Sequence, residues 1–107
     1  MKLPKVIKEM IDAQNNYDSI AHTGCFSETA VVADEGNEYS GRSEIRSWIE
    51  KCNEHLRPFL KPLAYNENGT QNILLAEVSG NFDGSPLVMK FHHTIENGLI
   101  QHLNITT

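Results

Sequence analysis

The chain is short of positive charge: 9 Lys and Arg stand against 14 Asp and Glu, for a formal net charge of −5 at pH 7. Such a balance repels phosphate backbones and anionic lipid headgroups, so nucleic acid is not an expected partner. No run of eighteen apolar residues occurs, so no segment is expected to cross a membrane as a helix. Cysteine is limited to Cys25 and Cys52. The first stretch, MKLPKVIKEMIDAQNNYD, has no continuous apolar segment ending in small residues, so a secretory signal is not expected. The expected compartment is therefore the cytoplasm, with both cysteines reduced and packed in a core. The sequons at Asn68 and Asn104 carry no meaning without secretion. Also absent are a phosphate-cradling glycine loop, a nucleophile constellation, a basic aromatic strip, internal repeats and low-complexity tracts. No cofactor is expected.

What is present is an ordinary globular composition. Of 107 residues, 39% are hydrophobic and 21% charged, enough for one domain over residues 1–107 with one core. Pro4 suits a first helical turn, and Val6, Ile7, Met10 and Ile11 follow at three- and four-residue spacing, which makes one apolar helix face. Asp18 is a good cap for a second, short helix through about His22. Thr29 to Asp34 is a short β-prone run, followed by a turn at Glu35-Gly36-Asn37-Glu38. Gly41 with Glu44 opens a third helix whose stripe is Ile45, Trp48, Ile49, Cys52 and Leu56; Arg57-Pro58 closes it.

After Pro58 the pattern changes to four strands, punctuated by Asn68-Gly69, Asp83-Gly84 and Asn97-Gly98. Such pairs supply the positive φ angles of tight hairpins. Helices first and hairpins afterwards predict an α+β fold with an antiparallel sheet. By two-residue alternation, Leu87, Met89, Phe91, His93 and Ile95 share one face of the third late strand, and Val88, Lys90, His92 and Thr94 the other. In the last strand Leu99, Leu103 and Ile105 oppose Ile100, His102 and Asn104. Apolar residues on both faces predict a covered outer face, hence a homodimer through the sheet.

Three stretches, Phe26-Ser-Glu-Thr-Ala-Val-Val-Ala-Asp34, Tyr39-Ser-Gly-Arg-Ser-Glu-Ile-Arg-Ser-Trp48 and Val78-Ser-Gly-Asn-Phe-Asp-Gly-Ser-Pro86, resemble the SnoaL-like branch of the nuclear-transport-factor-2-like superfamily. The resemblance spans nearly the whole chain. It implies a cystatin-like cone: about three N-terminal helices on a curved sheet of four long strands plus short N-terminal strands, wrapped around a pocket. The superfamily includes ketosteroid isomerases, polyketide cyclases, epoxide hydrolases, dehydratases and proteins without catalysis. It implies a small, largely apolar ligand and, for catalytic members, cofactor-free acid/base chemistry; the alternative is a non-catalytic dimeric binding or interaction module.

Asp34 falls where the ketosteroid-isomerase-like members carry their general base. It ends an apolar strand on the side of Ala30 and Val32, where desolvation would raise its pKa. Where those isomerases place an oxyanion-hole tyrosine this chain has Met10, and where they place a neutral aspartate it has Lys90 or Phe91. Steroid isomerisation is therefore not expected. His92 and His93 are further acid/base candidates, because imidazole titrates near neutrality. They point to opposite faces, so at most one joins His102, and two histidines without a carboxylate or thiolate partner do not make a metal site. His22 and His55 sit on helices and are expected to be exposed. The expected pocket residues are Tyr17, Val32, Tyr39, Trp48, Met89 and Phe91. For Trp48 the competing reading is simple core packing.

Overall fold

A computed structural model of the chain describes Met1–Thr107. Helix α1 (Lys5–Asn15) starts from Pro4, whose carbonyl accepts from Lys8 N at 3.0 Å, and it buries Val6, Ile7, Met10 and Ile11. Tyr17, at φ 54°, breaks the helical path. Asp18 then caps α2 (Ser19–Gly24), its Oδ1 accepting from Ala21 N at 3.0 Å. Helix α3 (Gly41–His55) opens with half of a capping box: Ser40 N donates to Glu44 Oε1 at 2.8 Å. It ends before Arg57, which turns to φ 45° ahead of Pro58.

Six strands form one sheet: β1 (Phe26–Asp34), β2 (Asn37–Ser40), β3 (Phe59–Asn68), β4 (Gln71–Ser79), β5 (Leu87–Glu96) and β6 (Leu99–Thr106). Their order is β2-β1-β6-β5-β4-β3. The four late strands pair antiparallel in sequence order, as the hairpin signals predicted. The sheet as a whole is mixed, however, because β1 lies parallel to β6, with Val32 opposite Leu103. No hairpin joins these two strands, so turn chemistry has no say in their direction. The α+β cone is otherwise the expected one, with three helices laid on the curved sheet.

The three predicted turns are not equivalent. Asn97 and Gly98, at φ 52° and 76°, make a two-residue turn between Glu96 and Leu99, which pair. At the first hairpin Asn68 still pairs with Gln71, so Gly69 and Thr70 form the turn, one residue later than expected. Asp83-Gly84 belongs to a longer loop, residues 80–86, that is tied to the end of α3. Asn81 N donates to Leu56 O at 2.7 Å, and a Cβ on Gly80 would meet that same carbonyl at 2.5 Å. Only glycine allows the loop to lie so close.

Bulges bend the sheet, at Pro62/Ala64 in the β3–β4 pairing and at Thr94/Ile95 in the β5–β6 pairing. The second changes which residues of β6 face inward. Ile100 is fully buried, not turned outward with His102 and Asn104 as strict alternation predicts. The concave face carries Phe26, Ala30, Val32, Leu74, Ala76 and Leu103, all 0–1% exposed, against Ile7, Met10, Ile45 and Ile49 of the helices. On the convex face Phe59, Leu63, Ile73 and Val88 lie 39–48% exposed.

Candidate functional site

The helices do not fill the concavity. A cavity of about 400 Å³ lies between them and the sheet, open at one end. Its deep end is formed by Met10, His22, Phe91 and Leu103, each no more than 7% exposed. Its mouth carries Asp34, Glu35, Asp83 and Leu87. Trp48, Leu60 and Met89 line the walls between. Thirteen of the nineteen lining residues are hydrophobic, and neither Lys nor Arg is among them, so a small neutral ligand suits the space better than an anion.

Asp34 occupies the last position of β1, where the strand's alternation carries Ala30, Val32 and then Asp34 inward. Its Oδ2 accepts a hydrogen bond from Trp48 Nε1 at 3.2 Å, which fixes the carboxylate at the cavity mouth. Partial burial raises its pKa above the ordinary carboxylate value; the Trp48 hydrogen bond pulls it back, and the neighbouring Glu35 pushes it up again. Trp48 is itself held in place by Tyr39, whose ring stacks on it with centroids 5.7 Å apart. The Cys52 thiol shares this corner but is pushed up to about 11, chiefly by burial, so it remains a thiol near neutrality.

At the deep end, His22 comes from α2 and its ring lies 5.9 Å from that of Phe26. It is only 5% exposed, and its Nδ1 is buried without a hydrogen-bond partner. Burial lowers its pKa to about 4, so the ring is neutral at pH 7. Two residues beyond Phe91, on the same face of β5, lies His93, 1% exposed, with neither ring nitrogen partnered. Burial, with the adjacent His92 adding to it, lowers its pKa to about 4 as well.

The expected catalytic and pocket residues do not all come together. Asp34, Trp48, Met89 and Phe91 line the cavity. Tyr39 faces a shallow groove along α3 that shares Asp34 and Trp48 with the cavity mouth. Val32 is wholly buried in the core, and His93 sits behind Phe91. Tyr17 lies elsewhere: its hydroxyl donates to Arg57 O at 3.2 Å, and the Arg57 guanidinium covers its ring at 3.9 Å. His92 turns to the convex face, 3.0 Å from Thr106 Oγ1. His22, expected to be exposed, is a polar lining residue that sequence reasoning missed. The one local signal was Phe26 four residues on. No group of three or more His, Cys, Asp and Glu is placed to hold a metal ion.

A curved sheet capped by helices over a mostly apolar cavity, with Asp34, Glu35 and Asp83 at its mouth, defines a cone of the cystatin-like type. The chain belongs to the SnoaL-like branch of the nuclear-transport-factor-2-like superfamily. A putative polyketide cyclase from Sinorhizobium meliloti superposes with a TM-score of 0.94 at 32% identity, over 97% of this chain and 95% of that one. A ketosteroid isomerase-like fold protein from Catenulispora acidiphila, in complex with trimethylamine, gives 0.88 at 15% identity over 99% and 87%. A putative polyketide cyclase from Pseudomonas putida gives 0.84 at 20% identity over 100% and 92%. These last two likenesses speak to the fold alone. Neither a protein-family model nor a curated protein matches the sequence.

Proposed function

We propose that the protein binds a small, largely apolar molecule in the cone and transfers a proton to or from it through Asp34, without a cofactor. The observation that carries this reading is the placement of Asp34. A partly desolvated carboxylate is anchored by Trp48 at the mouth of an otherwise apolar cavity. A carboxylate whose pKa is raised is a stronger base. Carbon-13 NMR titration of the Asp34 carboxyl tests the reading without a substrate. The expected result is a midpoint clearly above the ordinary ~3.9. A midpoint at or below that value would remove Asp34 as a general base.

The second reading, a non-catalytic binding module, draws on Met10 and Phe91. Both are apolar and line the cavity where isomerases of this fold place their oxyanion donors. Gln14 also reaches the cavity, but its Nε2 is taken up by Asn53 Oδ1 at 3.0 Å and Pro58 O at 3.1 Å. An ordinary Asp34 midpoint would make this second reading the leading one.

Either way, we infer that the single domain works as a homodimer in the cytoplasm. Phe59, Leu63, Ile73 and Val88 form an apolar convex face that water would otherwise wet. His92 lies on this same face, which gives it an interface role in place of a catalytic one. Static light scattering at micromolar concentration is expected to return twice the 12.0 kDa of one chain, and Ile73→Lys is expected to halve that mass. A wild-type mass of one chain would rule the dimer out.

A further inference from the structure

The deep end of the cavity and the wall behind it hold buried polar groups that no partner in the fold satisfies. Three imidazole nitrogens, His22 Nδ1 and both nitrogens of His93, are buried without a partner. Leaving such a group unpaired is costly, on the order of 1–3 kcal/mol each. Natural folds rarely keep several together without a function for them. They are also clustered: a charge on His22 disfavours one on His93, and Phe91, which stacks on His93 with centroids 6.3 Å apart, shares the cavity wall with His22. Of the two rings, His22 is the one that reaches the cavity.

We propose that the deep end of the cavity is a hydrogen-bonding site for one uncharged oxygen, a ketone or hydroxyl, on an otherwise apolar ligand, with His22 as the residue that touches it. This deepens the proposed function by naming the ligand class, and it rests on the cavity being a ligand pocket. A neutral imidazole has one N–H donor and one acceptor nitrogen, so it can serve either a carbonyl or a hydroxyl. A half-turn of the ring about Cβ–Cγ exchanges Nδ1 with Cδ2. Either face of His22 can therefore turn a nitrogen to the ligand.

Charge decides against the other ligand classes. An anion would pass Asp34, Glu35 and Asp83 at the mouth and find no lysine or arginine within. A cation would pair with those carboxylates and stay at the mouth, since the buried lining offers it no carboxylate, only apolar side chains, the Gln14 amide and a neutral ring. An uncharged oxygen is what remains. It would place the ligand's polar end at His22 and its body against Met89 and Trp48.

A matched pair of probes, 1-tetralone and tetralin, isolates the oxygen, because they share a ring skeleton and differ in one carbonyl. The expected result by titration calorimetry is that the wild-type protein binds 1-tetralone about tenfold more tightly than tetralin, roughly 1.4 kcal/mol. In His22→Phe the two should bind within about twofold of each other, with tetralin's affinity held. His22→Gln, which keeps a donor and an acceptor, should retain part of the preference. Nitrogen-15 NMR of the wild-type imidazoles should show the His22 resonances, and not those of the exposed His55, moving with 1-tetralone. Should His22→Phe fail to fold, the Gln variant and the NMR shift still decide. Equal binding of both probes by the wild type would overturn the proposal and leave the pocket reading standing. So would a ketone preference that survives His22→Phe with His22 resonances unmoved. Binding of neither probe at millimolar concentration would count against the pocket itself, and the proposal would fall with it.

Discussion

Replacing Asp34 with asparagine is expected to lower the protein's acceleration of α-proton exchange by on the order of a hundredfold, the usual scale of a positioned general base. The reaction is deuterium uptake by 1-tetralone in heavy water at pH 7, followed by mass spectrometry against a buffer blank. Asparagine is close to isosteric with aspartate, and its carboxamide oxygen can still accept from Trp48 Nε1, so the corner keeps its shape. What disappears is the lone pair that takes the proton. Stability at pH 7 should hold or rise slightly, because burial already disfavours the Asp34 charge. Wild-type exchange no faster than the blank would end the catalytic reading, as would exchange untouched by Asp34→Asn. Faster exchange lost in Asp34→Asn but kept in His22→Phe would support the base while removing His22 from the chemistry.

Acidification from pH 7 to pH 4 is expected to destabilise the fold by several kcal/mol. His22 and His93 are both lowered from the ordinary 6.5 to about 4, in each case chiefly by burial. In the unfolded chain these rings take up protons near pH 6.5; in the folded protein they resist until about pH 4. The unfolded state therefore binds more protons throughout that window, and stability falls as pH falls. It is fully present above pH 6.5 and lost progressively down to about 4. At 1.36 kcal/mol per pH unit, each ring alone would contribute about 3 kcal/mol. The pair contributes less than twice that, since part of the depression at His93 is repulsion from His22 and His92. Asp34 works in the opposite direction: its raised pKa makes the folded state the better proton binder, and acid stabilises that site. Urea melts followed by Trp48 fluorescence at pH 7, 5.5 and 4.5 check the sum. His93→Leu should flatten the profile by roughly the contribution of one ring and raise stability at pH 4.5 relative to the wild type. A wild-type profile flat over this range would mean that the two rings are hydrated in solution.

Much of the fold was legible because the signals are local. The spacing of Val6, Ile7, Met10 and Ile11 needs only a 3.6-residue period, and α1 buries all four of them. Asp18 as a cap, Glu44 reaching back to Ser40, and the Asn97-Gly98 turn are likewise set by residues within four positions of each other. That His92 and His93 face opposite sides followed from the two-residue period of a strand. The position of Asp34 on the inward side of β1 followed from the same rule, together with the family resemblance.

Other features lay beyond that reach. Alternation says which residues share a face but not which face is the inner one. Only the packing of α1 and α3 against the concavity turned Phe91 and His93 inward and left His92 with Thr106. The bulge at Thr94/Ile95 arises from the mutual fit of two curved strands, and it buried Ile100 against the simple count. The parallel pairing of β1 with β6 joins residues more than seventy positions apart, where no turn dictates direction. His22 was assigned to the surface because a six-residue helix has too few turns to display a face, and its burial depends on α2 packing beside α3 and β1. Composition, charge, helix caps and hairpins are short-range and were determined by the sequence by itself. The tertiary structure alone decided which residues meet across the cavity, because that depends on sheet curvature and helix placement, which are settled by the whole core at once.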